Sequence, residues 1–147
     1  MSTYGFQKLS AEYFCKGAYE QYGLPSKGQD PLHILGSGKQ IRCYTNGKDI
    51  ARGVRVALEA GKAHNEDFNI STSTATSVLE LAKMVWKKMR PNEKFSFVSD
   101  QAYEYDVQKR IPDVSKANKL LGFTAGITLE ESVDEVIEWF KKREENG

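Results

Sequence analysis

Tyr4 and Lys8 stand four residues apart, the spacing that puts two side chains on one face of a helix. An ammonium beside a phenol favours the phenolate, lowering a pKa otherwise near about 10 and letting the tyrosine give and take a proton close to neutral pH. By itself the pair describes a solvated helix face just as well. Two arginines offer a second kind of chemistry. Arg42 ends a glycine turn and short strand, Gly36-Ser37-Gly38-Lys39-Gln40-Ile41-Arg42-Cys43-Tyr44, and Arg110 sits in Asp106-Val107-Gln108-Lys109-Arg110-Ile111-Pro112-Asp113. A guanidinium is a fixed fork of donors that matches phosphate oxygens, and it makes surface ion pairs equally readily. Between the two, Lys48-Asp49-Ile50-Ala51-Arg52-Gly53 opens a helix with Asp49 in its first turn.

The remaining reactive side chains point elsewhere. His33 and His64 have no neighbouring Cys or carboxylate pattern, so no metal site is expected and both read as solvent or strand-edge residues. Cys15 and Cys43 fit no metal or redox spacing and read as reduced thiols. Lys87-Lys88 and Lys141-Lys142-Arg143 read as solvated cations on helix faces or ends. Tyr103 and Tyr105 alternate with acidic residues in a loop, where packing against the core is the commoner fate and stacking over a base or sugar the rarer one.

The scaffold for these residues is 147 residues long, 39% hydrophobic and 28% charged. Its 21 Lys+Arg against 20 Asp+Glu leave a net charge of +1. That is the composition of one globular domain large enough to hold a core without disulfides. The charge balance argues against a nucleic-acid surface as the main business of the chain, and no apolar run approaches the ~20 residues of a membrane span. No signal-peptide pattern is visible at Met1–Phe6, so a cytoplasmic location is expected.

Apolar periodicity predicts a helix over Tyr4–Tyr22, ended at Gly23-Leu24-Pro25, and a second from Ile50 to about Gly61 after an Asn46-Gly47 turn. Leu32–Leu35 reads as a strand closed by Gly36-Ser37-Gly38, with Ile41–Thr45 as its partner. Phe68–Ser71 and Lys94–Val98 are further strand candidates, the latter followed by a polar loop from Ser99 to Pro112. Ser77-Val78-Leu79-Glu80 is a capping box opening a third helix, whose face is Val78, Leu81, Ala82, Val85, Trp86 and Met89 and whose end is Pro91. Asp113 caps a short helix to Leu121, with Gly122 at the left-handed position. Thr128-Leu129-Glu130-Glu131 is a second capping box, starting a last helix with Leu129, Val133, Val136, Ile137 and Phe140 inward. The sum is an α/β chain, a small mixed domain of about five helices and four short strands.

Taken in order, these segments resemble the C-terminal, substrate-binding part of the extended short-chain dehydrogenases/reductases, specifically the NAD-dependent nucleotide-sugar epimerases and dehydratases. The resemblance covers almost the whole chain. It implies that Tyr4 and Lys8 are the family's catalytic Tyr-x-x-x-Lys pair, the tyrosine moving a proton at the sugar hydroxyl while the lysine lowers its pKa and contacts the nicotinamide ribose. It likewise implies that Arg42 and Arg110 contact the diphosphate of a nucleotide sugar. The strand and helix from Phe68 match the family's Asn-x-Gly/Ser segment, where Asn69 is structural.

The chain departs from the family pattern in four places. No G-x-G-x-x-G or G-x-x-G-x-x-G turn occurs, so the cradle for NAD is missing from these residues. The family's catalytic Ser/Thr precedes the tyrosine by more than the three residues available, and Ser26–Leu32 replaces a strand and substrate segment. Asn46-Gly47 replaces a His or Tyr and a hydrophobic residue. Two functions follow as expectations. One is a truncated nucleotide-sugar-binding part, inactive alone, that binds no NAD by itself. The other is a non-catalytic self-associating or partner-binding module derived from the family. In either, residues 1–147 form a single domain, with 1–25 a remnant helix carrying Tyr4 and Lys8 and 26–147 a substrate-binding-like region. Homo-oligomer formation is expected through the Tyr4–Tyr22 helix, whose second face carries Phe14 and Ala18.

Overall fold

The computed structural model describes residues 31–102 and 104–145. The Tyr4–Tyr22 helix, with Tyr4, Lys8, Phe14, Cys15 and Ala18, lies outside the described residues, as does Tyr103. Four α-helices and four short strands are described: β1 (Leu32–Leu35), β2 (Ile41–Arg42), α1 (Gly47–Glu59), β3 (Thr76–Ser77), α2 (Val78–Met89), β4 (Phe97–Asp100), α3 (Ser115–Leu121) and α4 (Leu129–Glu145). A 3-10 turn at Gly61–Ala63 follows α1. The expected mixed α/β architecture is therefore present.

Strand pairing differs from expectation. β1 does not pair with Ile41–Thr45; it runs parallel to β4, Leu32 opposite Phe97 through Leu35 opposite Asp100. Gly36 and Gly38, at φ +65° and +68°, turn the chain out of β1 through the left-handed conformation that glycine adopts without steric penalty. The chain is thereby delivered to α2, whose first N–H groups are taken up by its carbonyls: Val78 N–H donates to Gln40 O (3.0 Å) and Leu79 N–H to Gly38 O (2.9 Å). The expected Ile41–Thr45 strand shortens to Ile41–Arg42 and pairs antiparallel with β3. β4 lies three residues later than Lys94 and keeps the polar Ser99 and Asp100, because Ser99 Oγ donates to Gly36 O (2.6 Å) and Asp100 accepts from His33 Nδ1 (3.0 Å). His33 is thus a strand-edge residue, as expected.

Phe68–Ser71 forms no strand. Side chains take the place of a ladder there: Asn69 Nδ2 donates to Asp113 O (2.9 Å), Ser71 bonds Thr45 Oγ1 (3.0 Å), and Thr72 N–H donates to the same hydroxyl (3.0 Å). Asn69 is structural, in line with its reading from sequence.

The helix ends follow local rules. In α2 the capping box forms in both directions, Glu80 N–H to Ser77 Oγ (3.1 Å) and Ser77 N–H to Glu80 Oε2 (2.7 Å), and in α4 Thr128 and Glu131 do the same. Asn46, read as a turn residue, is the N-cap of α1 and accepts from Lys48 N–H (2.8 Å). Asp113 caps α3 from one residue before its formal N-cap, Val114, by accepting from Ser115 N–H (2.9 Å). Gly122, at φ +62°, ends α3 in the left-handed conformation.

The core is Ile34, Trp86, Ala117, Phe123, Val133 and Ile137. From α2, Trp86 packs edge-on to Phe95 (centroids 5.7 Å) under the Arg90 guanidinium. Val133 and Ile137 face inward on α4 as expected, whereas Val136 is exposed. Lys88 is not simply solvated: it bridges α2 to α4 through Asp134 (2.8 Å) and Glu130 (3.1 Å), and the Asp134 carboxylate, seconded by Glu130, raises its pKa. Tyr105 is 87% exposed rather than packed on the core, because the segment that carries it lies outside the ladders.

Candidate functional site

Ile41 is the residue that assembles the arginines. Its N–H donates to Gln108 O (2.8 Å) and its carbonyl accepts from Arg110 N–H (3.0 Å), a parallel bridge that places Ile41 opposite Lys109. On its other side Ile41 pairs with Ser77 and Arg42 with Thr76. β2 is therefore the middle of a short three-stranded ribbon. Because side chains alternate across a strand, Arg42 and Arg110, each one residue beyond the bridge, occupy neighbouring register positions on one face, while Ile41 and Lys109 occupy the other. Sequence reasoning named both arginines, and the ladder brings them together from 68 positions apart.

The two guanidiniums differ in their surroundings. Arg42 is 25% exposed, donates from Nη1 to Ile41 O (2.9 Å), and pairs from Nη2 with Asp106 Oδ1 (3.1 Å). Arg110 is exposed on the open side of the ribbon. Asp106 was missed as a site residue. It lies in the quoted motif, but nothing in the sequence says that its carboxylate reaches back to β2.

Asp49 is the second residue whose role sequence did not reveal. It is 2% exposed, on the first turn of α1. Its Oδ2 accepts from Gly126 N–H and Ile127 N–H, both at 2.8 Å, and its Oδ1 from Arg52 Nη2 at 2.7 Å. Burial pushes its pKa up, but the two backbone donors and the Arg52 charge together outweigh burial and hold it below the ordinary carboxylate range. Arg52 also donates to Thr124 O and lies over the Phe123 ring, 4.6 Å from its centroid. Asp49 thus fixes the Thr124–Thr128 loop between α3 and α4. The signal available in sequence was the Asp49/Arg52 spacing of three residues on one helix face.

That loop lines two cavities. An open cleft of about 480 Å³ runs between the Ser71–Thr74 segment, the Pro112–Ser115 turn and Phe123–Ala125, and a smaller one of about 170 Å³ lies between Tyr44, Thr72 and Gly126–Leu129. Neither of these two cavities is lined by Arg42 or Arg110. At the cleft, the Ser115 hydroxyl and backbone N–H lower the Asp113 pKa.

Among the described residues no group of three His, Cys, Asp or Glu side chains gathers as a metal cluster, and none of the helices is long and apolar enough to cross a membrane. Cys43 is a free thiol whose pKa burial pushes up. Among the described residues, the glycine turn after β1, Gly36–Gly38, leads along the chain into β2 and not into a helix N-terminus, so it does not form the strand–turn–helix cradle of a dinucleotide pyrophosphate.

Residues 25–136 match the GDP-mannose 4,6-dehydratase family. UDP-glucuronic acid decarboxylase 4 of Arabidopsis thaliana is 32% identical over 115 residues, which is 78% of this chain and 25% of that protein. Among solved structures, UDP-glucose 4-epimerase of Thermotoga maritima, determined with UDP-glucose, aligns at a TM-score of 0.66 and 32% identity over 76% of this chain and 35% of its own. UDP-glucuronic acid 4-epimerase of Bacillus cereus, determined with UDP-glucuronic acid and NAD, aligns at 0.73 and 25% identity over 85% of this chain and 40% of its own. The chain spans from a quarter to two-fifths of the length of these relatives.

Proposed function

Since the chain belongs to the nucleotide-sugar epimerase/dehydratase family of extended short-chain dehydrogenases/reductases, where it corresponds to the C-terminal part, we propose that it presents a binding surface for the diphosphate of a nucleotide sugar. One observation carries this reading: the Ile41 ladder sets Arg42 and Arg110 side by side on one face. Two guanidinium forks at adjacent strand positions offer donors to two linked phosphates, and phosphate contacts of this kind are charge-assisted. Support also comes from the relatives solved with UDP-sugars.

In this reading residues 1–147 are one cytoplasmic domain, with 26–147 the substrate-binding region. Tyr4 and Lys8 carry the proton-transfer role by resemblance alone. In this reading NAD is bound by the family's glycine-turn segment, which this sequence lacks, so hydride transfer is not assigned to residues 26–147 and no turnover by the chain alone is expected. The test is an amide NMR titration of the full chain with UDP-, dTDP- and GDP-sugars. Shifts centred on residues 41–44 and 106–113 that disappear in Arg42→Ala and Arg110→Ala are expected. Spectra that ignore every sugar nucleotide, or shifts that persist in both variants, would overturn the reading.

A second reading, a self-associating module, has its own observation. Ile50, Val54 and Leu58 recur every four residues along α1 and are all exposed, Leu58 at 83%. Sedimentation velocity distinguishes the two: a stable oligomer with no affinity for sugar nucleotides favours the module.

A further inference from the structure

The proposal concerns the acidic group that pairs with Arg42 at the arginine face, and it rests on the diphosphate reading above. We propose that Asp106 is a tethered competitor for Arg42, a self-docked carboxylate that holds the guanidinium in the free protein and leaves it when a diphosphate binds.

Three observations carry this. First, the contact is direct and aimed at the group in question: Asp106 Oδ1 lies 3.1 Å from Arg42 Nη2, while Nη1 is turned back to Ile41 O at 2.9 Å. Two of the five guanidinium N–H donors are thereby taken, and a phosphate that binds the edge Asp106 occupies has to replace its carboxylate. A carboxylate and a phosphate present the same kind of oxygen pair to arginine, so the two compete for the same donors. Second, the competitor is the acceptor that can leave. Ile41 O belongs to the backbone that also bonds Arg110 N–H, and is fixed by the ribbon. Among the described residues, Asp106 makes no ladder hydrogen bond: its backbone carbonyl accepts a Gln108 side-chain amide (3.2 Å), and its neighbour Tyr105 is almost fully exposed. Third, Asp106 is placed to return. It lies four residues before Arg110 on the segment that the Ile41 bridge pins to β2, so its carboxylate stays within reach of Arg42 after release.

The consequence is an affinity set below what two free arginines would give. An ion pair whose two side chains are 25% and 21% exposed holds the guanidinium with a strength of about two- to five-fold in an equilibrium constant, the upper part of the range for exposed pairs. Arg110, exposed beside it and with no ion-pair partner among the described residues, supplies the charge that captures the ligand before Arg42 is released.

The experiment titrates the full chain with inorganic pyrophosphate and with UDP, following amide shifts in wild type, Asp106→Asn, Asp106→Ala and Glu104→Gln. Both Asp106 variants are expected to bind about two- to five-fold tighter than wild type. Glu104→Gln, which removes an equal charge from the exposed part of the same segment without touching Arg42, is expected to change affinity by less. In wild type the Asp106 carboxyl carbon resonance is expected to move on saturation. Unchanged or weaker binding in the Asp106 variants, or an equal gain in Glu104→Gln, would overturn the competitor while leaving the arginine site standing, provided that Arg42→Ala and Arg110→Ala still weaken binding. Absence of binding in wild type and all variants would remove the diphosphate reading, and the competitor with it.

Discussion

Removing the Asp49 carboxylate is the sharpest test of how this fold holds its cavity-lining loop. Asp49→Ala leaves the Gly126 and Ile127 N–H groups, each now 2.8 Å from a carboxylate oxygen, without their acceptor. A buried donor left unsatisfied costs about 1–3 kcal/mol, so the pair gives about 2–6 kcal/mol. Arg52 adds little to this. Its side chain is 42% exposed and keeps Thr124 O and the Phe123 ring. Some water entry beside the loop brings the expected loss to about 2–4 kcal/mol, a large share of the 5–15 kcal/mol that holds a typical domain together. Asp49→Asn keeps one acceptor oxygen and the side-chain volume, and should lose about half as much. The assay is urea unfolding followed by circular dichroism, read as a shift in midpoint at constant slope. The pH dependence adds an independent arm. Asp49 has a lower pKa folded than unfolded, so its stabilisation is complete above the unfolded value, near about 4, and is lost as pH falls through the folded one. The gap in stability between wild type and Asp49→Asn should therefore narrow as pH drops below about 4. A loss under about 1 kcal/mol in Asp49→Ala, or a gap indifferent to pH, would refute the assignment of Asp49 as the anchor of this loop.

Gly53→Ala tests packing against propensity: the helix scale alone predicts a gain of about 1 kcal/mol, but the new methyl would collide with Ile70 Cγ2 and press within 3.1 Å of the Phe123 ring, so a net loss of about 1–2 kcal/mol is expected in the same unfolding assay. Ser77→Ala breaks the α2 capping box and should lower stability by about 1 kcal/mol in the same unfolding assay, and because Ser77 also pairs with Ile41 the Ile41 amide resonance should shift with it in two-dimensional NMR.

What was legible in the sequence was what a few adjacent residues decide. Ser77 with Glu80 and Thr128 with Glu131 are complete motifs within one helical turn, and Gly122 sits where only the chain's own geometry matters. Strand pairing depends on residues far apart, and there the expectation failed. Leu32–Leu35 reads as half of a hairpin because Ile41–Thr45 is near in sequence. The two left-handed glycines instead send the chain to α2, and β1 finds its partner 65 residues later. Phe68–Ser71 has strand composition, yet the side chains of Thr45 and Asn69 supply hydrogen bonds that a ladder would otherwise make. Polar residues that bond locally in this way compete with regular structure, and no periodicity records which side will prevail.

The arginine face shows the same division at the level of chemistry. Arg42 and Arg110 were identifiable because each lies in a short motif, but neither motif contains the fact that makes them a pair. That fact belongs to Ile41, an apolar residue whose backbone bonds both β3 and the 108–110 segment. Its side chain need only be compatible with a strand, so its type carries no trace of the role. Asp106 is hidden for a related reason: an acidic residue in a polar loop reads as solvated unless the ladder that folds the loop back is already known. Each member of the face is thus set by a different part of the chain, Arg42 by β2, and Arg110 and Asp106 by the segment that Ile41 captures. Loosening the bridge between them should therefore separate the two arginines without disturbing the Thr128–Glu131 capping box or the core around Phe123 and Trp86, which are built from other elements.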